Sequence, residues 1–150
     1  MTYQILSIVA PVFGLVLVGW LYARRHGPDM SAANRINLDV FVPALIFDVL
    51  SGKDFRIADY LDLTLGAVAV VLGSGLIAFA VSRATGTAWR TLVPTAMFNN
   101  SGNMGLPLAV LAFGEQALPA AVVVFMVENL MHFTVGVRIL DPGASLLRLL

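Results

Sequence analysis

Five stretches of this chain carry apolar residues in runs that reach, or nearly reach, the length needed to cross a lipid bilayer. A helix rises about 1.5 Å per residue, so roughly 20 mostly apolar residues cover about 30 Å of hydrocarbon. Residues 4–23 form the first stretch, and the charges Arg24, Arg25 and His26 follow it. A cleavable signal peptide places its basic residues first. Residues 34–50 form the second and least apolar stretch, with Asn34, Asn37, Asp39 and Asp48 interspersed and Pro43 inside. Residues 60–82 are a continuous Val/Ala/Leu/Gly run in which Gly66, Gly73 and Gly75 let neighbouring helices approach closely. Residues 91–113 form the fourth stretch and residues 117–137 the fifth. In the first, Pro11 with Ala10, Gly14 and Gly19 reads as a kinked packing helix. The pattern predicts an all-α membrane protein: a single transmembrane domain over residues 1–150 with five transmembrane helices.

The fourth stretch is interrupted at its middle by Asn99-Asn100-Ser101-Gly102-Asn103-Met104-Gly105, with Pro107 just beyond. Such a polar, glycine-rich run at membrane depth cannot form a stable lipid-facing helix. Gly102 and Gly105 permit backbone conformations that other residues avoid, and Pro107 lacks the N–H that a continuous helix requires. The fourth span is therefore predicted to be broken near residues 99–105 into half-helices 91–98 and about 104–113, with Asn103 placed to cap the second. A half-helix starting at mid-membrane aims free N–H groups and the positive end of its dipole into the protein, an arrangement that binds anions. Discontinuous helices mark the substrate sites of many secondary transporters. The alternative is a kinked packing helix whose asparagines bond to neighbouring backbones.

In the fifth stretch Glu128 and His132 stand four residues apart on one helical face, with Asn129 beside them. Ionisable groups inside a span are candidates for coupling transport to a proton, or else form a self-satisfied ion pair. Two ligands fall short of the three or four that zinc needs, so no metal is expected, nor any other cofactor. On an unbroken helix Asn37, Phe41 and Asp48 share nearly one face, which makes Asp48 a further coupling candidate if it faces a cavity and not the interface.

Composition supports the bilayer as solvent: 59% of the 150 residues are hydrophobic and 12% charged, and the mean hydropathy is +0.87. The net charge of zero gives no basic field for nucleic acid. With no cysteine there is neither a disulfide framework nor a thiolate. Charge placement sets the expected orientation. Arg24, Arg25, Arg35, Arg83, Arg90, Arg138 and Arg148 gather on one side, against Lys53 and Arg56 on the other. Cytoplasmic loops retain positive charge, so the N-terminus is expected outside the cell (inner) membrane and the C-terminus in the cytoplasm.

Three stretches then carry a family resemblance. They are Asn37-Leu38-Asp39-Val40-Phe41-Val42-Pro43-Ala44-Leu45-Ile46-Phe47, Asn99-Asn100-Ser101-Gly102-Asn103-Met104-Gly105-Leu106-Pro107 and Asn129-Leu130-Met131-His132-Phe133-Thr134-Val135-Gly136-Val137. The chain resembles the auxin efflux carrier family, in the superfamily of bile acid/sodium symporter-like folds. The resemblance implies a ten-span transporter fold of two inverted five-span repeats, of which this chain is the first, with broken fourth and ninth helices crossing at the substrate site. It also implies a permease for carboxylates such as malate, malonate or auxin. Asn99, Asn100, Ser101, Asn103 and Pro107 would lie at or beside that crossover, and Pro43 would be structural.

The family pattern continues beyond Leu150 into a second repeat, so the expected site is complete only with a second five-span half or, less in keeping with the charge bias, an antiparallel homodimer. Two other function classes compete. A non-transporting membrane scaffold or assembly subunit would use the same polar span for partner capture. A hydrolase using Ser101 with His132 has no supporting motif, because Ser101 sits outside any Gly-x-Ser-x-Gly elbow.

Overall fold

The computed structural model describes residues 2–53 and 55–143, with side chains from Ile5 onward. Asp54, Arg148 and the end of the chain that would lead into a second repeat lie outside the described residues. Among the described residues every regular element is helical. In chain order these are α1 (Thr2–His26), α2 (Ser31–Ile36), α3 (Val42–Ser51), α4 (Leu61–Thr85), α5 (Trp89–Met97), α6 (Leu106–Phe113), α7 (Leu118–Met131) and α8 (Val137–Leu140). Three wide π-helical turns, Asn37–Phe41, Ser101–Gly105 and His132–Gly136, join some of them. Ile5–His26, Ile57–Thr85 and Glu115–Leu140 are long and apolar enough to cross a membrane, matching the first, third and fifth predicted spans.

The chain divides into two compact units. The first comprises Met1–Phe55 and Leu106–Pro119. In it α1 packs against α6, and residues 31–51 run as one helical stretch through the turn at Asn37–Phe41. That turn has a local cause. Pro43 has no N–H to give the carbonyl of Asp39, and its ring would collide with that oxygen in a regular helix. The backbone widens instead, and Val42 N–H reaches five residues back to the Asn37 carbonyl. One extra residue in a turn advances everything downstream by about 100°. This corrects the expectation that Asn37, Phe41 and Asp48 share a face, which assumed an unbroken 3.6-residue period. Asp48 is exposed near the end of α3. Ahead of α2, Asp29 Oδ1 accepts the Ser31 N–H at 2.9 Å and also the Ser31 hydroxyl. Both bonds favour the ionised form, which holds the Asp29 carboxyl below the ordinary carboxylate range.

The second unit comprises Arg56–Gly105 and Ala120–Leu150. α4 and α5 form a helical hairpin whose tight connection passes through Gly86 in the left-handed region, φ 71°, as is common one residue past a helix end. Gly75 on α4 makes the close packing possible: a Cβ there would stand 2.7 Å from Met97 Sδ. Around that contact Val71, Ala78, Val93, Met97 and Met131 are buried, flanked by Val68, Leu92, Phe98, Val127, Val135 and Ile139.

This core is small for the apolar content. Only nine apolar side chains are buried among the described residues, whereas Val70, Leu76 and Ile77 on α4 are 69%, 72% and 68% exposed. Burying an aliphatic side chain away from water is worth about 1.5–3 kcal/mol, so a water-facing helix would not forgo it this often. Lipid solvates such a surface without that penalty.

Candidate functional site

The fourth predicted span is discontinuous. α5 ends at Met97, residues 98–100 form no regular element, and the chain re-enters a helix at Ser101. The end of α5 is ordinary: Phe98 N–H bonds to the Pro94 carbonyl at 3.1 Å, and Phe98 itself is extended with ψ 129°. The restart is capped by Asn100, whose Oδ1 accepts the Asn103 N–H at 3.2 Å while its carbonyl takes the Met104 and Gly105 N–H groups at 3.2 and 3.0 Å. The sequence had placed the cap at Asn103. The restart lies three residues earlier because Pro107 demands a wide turn before it, as Pro43 does, and Ser101–Gly105 supplies that turn.

The segment between the two helices is tied to α7 and the turn after it. Asn99 N–H, which neither helix can satisfy, donates to Glu128 Oε1 at 2.6 Å. Glu128 is 4% exposed. One helical turn on, the His132 ring stacks on Phe98 with centroids 4.6 Å apart and planes inclined by 11°. No ion pair joins Glu128 to His132; each reaches the break separately. Two glycines make room for aromatic rings here. A Cβ on Gly102 would stand 2.7 Å from Phe125 Cε2, and one on Gly136 the same distance from Phe98 Cε2. Asn129 lies on the same helix, and its side-chain amide donates to the Phe125 carbonyl at 2.9 Å.

The outward surface of the break is polar. The side chains of Asn99, Asn100 and Asn103 are exposed, as is Pro107, while Ser101, Gly102 and Gly105 are half-buried. The main-chain N–H groups of Ser101 and Gly102 have no hydrogen-bond acceptor among the described residues. With those two amides at the start of a helix, the arrangement offers donors and a positive dipole end to an anion. Asp48 belongs to the other unit.

A family described as "Membrane transport protein" matches residues 4–148. The chain belongs to this family. It is the auxin efflux carrier family that the three motif stretches resemble. The chain is 33% identical over 144 residues to a Rhizobium meliloti (strain 1021) protein named "Putative malonate transporter", covering 89% of this chain and 44% of that one. It is 31% identical over 138 residues to an "Uncharacterized transporter" of Methanothermobacter thermautotrophicus, covering 85% and 45%. The chain thus spans under half the length of these curated relatives. No solved structure matches it.

Each of the three motif stretches contains one of the three π-helical turns. Two of the turns are followed by the same element, one residue and then a proline, at Val42-Pro43 and Leu106-Pro107. The third has none; there Gly136 sits against Phe98, and the Thr134 hydroxyl donates to the Leu130 carbonyl at 2.6 Å. Phe98, Phe125 and Gly136 went unassigned in the sequence. The available signal was an aromatic residue directly ahead of the Asn-Asn pair and a glycine four residues after His132.

Proposed function

We propose that this chain is the first half of a secondary transporter that carries small organic anions, dicarboxylates of the malonate type foremost, across the cell membrane. The observation that carries the reading is the interrupted fourth span, where Asn99, Asn100, Ser101, Gly102, Asn103 and Gly105, with Pro107 following in sequence, include two amides that lack an acceptor among the described residues. The name of the Rhizobium relative supports the dicarboxylate class. Glu128, Asn129 and His132 are assigned to shaping the break from the α7 side. In this proposal the chain crosses the bilayer five times with its N-terminus outside, and a second five-span half of inverted orientation completes the site.

The test is uptake of radiolabelled malonate into vesicles bearing the chain alone, or the chain joined to a second five-span half. Saturable uptake is expected with both halves present, inhibited by unlabelled malonate and not by malonamide, its neutral analogue. Equal handling of the two compounds would remove the anion claim. Loss of partner capture with no substrate effect on changing Asn100 would instead favour a scaffold.

A further inference from the structure

The break already holds a carboxylate, and it is the protein's own. Glu128 is almost fully buried, and its Oε1 takes the Asn99 N–H at 2.6 Å from a position 29 residues along the chain. Asn99 is followed within three residues by the Ser101 and Gly102 amides, so a substrate carboxylate drawn to this short stretch of main chain meets one that the protein already supplies. The two carboxylates cannot share the Asn99 amide. The segment has one further attachment to the same region, the Phe98 ring stacked on His132 and lying close to Gly136, which does not depend on charge.

Resting on the transport reading above, we infer that Glu128 is an internal competitor for the substrate: it occupies the Asn99 amide in the unliganded chain and is displaced when a substrate carboxylate binds. The anion both finds its donors and releases residues 98–100 from α7. Glu128 is on this account a specificity and gating residue. Without its charge the site would bind anions more readily and lose the link between binding and release.

The experiment uses the chain joined to a second five-span half in nanodiscs, with malonate and malonamide as probes and hydrogen exchange at residues 98–102 as a second readout. Glu128→Gln keeps the size and removes the charge. It is expected to tighten malonate binding by about tenfold, the equivalent of ~1.4 kcal/mol, leave malonamide unchanged and speed exchange at residues 98–102 without ligand. In the wild-type chain saturating malonate is expected to speed exchange at Asn99. If Glu128→Gln fails to fold, Glu128→Asp serves, since it falls one methylene short of Asn99 and should speed the same exchange. Malonate binding by the wild type with equal or weaker binding by folded Glu128→Gln overturns the competitor and leaves the transport reading standing. Malonate binding by neither protein removes the dicarboxylate reading and the competitor together.

Discussion

Gly136 lies against the ring of Phe98, so close that a methyl group on it would stand 2.7 Å from Cε2 and 3.2 Å from Cζ. Phe98 is the first residue after α5, and its ring is stacked on His132. Gly136→Ala should therefore push the ring out of its slot. A loss of about 1–3 kcal/mol is expected, the usual cost of overpacking. Unfolding in detergent checks this, and Phe98→Leu in the Gly136→Ala background should recover part of the loss. Equal and additive losses would mean that the two residues are not coupled.

Asn100 and Asn103 look alike in the sequence but differ in what they do. Asn100→Ala removes the side-chain cap over the Asn103 N–H and should cost about 0.5–2 kcal/mol. Asn103→Ala removes an exposed amide that caps nothing and should change stability by less than about 0.5 kcal/mol. Thermal unfolding of the two variants side by side decides it; a larger effect at Asn103 would return the cap to the place the sequence suggested.

Pro43→Ala restores an N–H that can reach the Asp39 carbonyl. The turn at Asn37–Phe41 should tighten to a regular helix, with slower amide exchange over residues 37–43. The gain is expected to be on the order of 1 kcal/mol, less than the ~3 kcal/mol of an unaccommodated proline, because the wide turn already relieves most of the clash. Unchanged exchange would separate the turn from the proline.

Asp29 should carry a pH signature. Its carboxyl is held low by the Ser31 hydroxyl and then by the Ser31 N–H, so its contribution to the start of α2 is present above the unfolded-state value. It is lost as pH falls through the lower folded-state value, on the acid side of the ordinary carboxylate range. A carbon-detected titration of Asp29 should show the depressed midpoint, and Ser31→Ala should move it back upward. The donors are uncharged groups of Ser31, so added salt is expected to leave most of the shift in place.

The sequence made the long spans legible because hydropathy over twenty residues is a one-dimensional property, and Ile5–His26, Ile57–Thr85 and Glu115–Leu140 all have it. It made the interruption legible because no lipid-facing helix tolerates Asn-Asn-Ser-Gly-Asn. Its position was offset since caps depend on which turn type a proline downstream imposes. The partners of Glu128 and His132 were not legible. Their four-residue spacing assigned them a common face, and only the fold brings that face to Asn99 and Phe98.

The thin core has a calorimetric consequence. Unfolding a water-soluble domain raises the heat capacity by about 12–15 cal/mol/K per residue, because apolar groups pass from the interior into water. Here Val70, Leu76, Ile77 and their neighbours have no protein interior to leave. If the chain loses its tertiary contacts while its helices stay in the bilayer, most of that increment is missing. The stability curve then flattens, and cold brings little of the weakening that narrows the working range of a soluble fold.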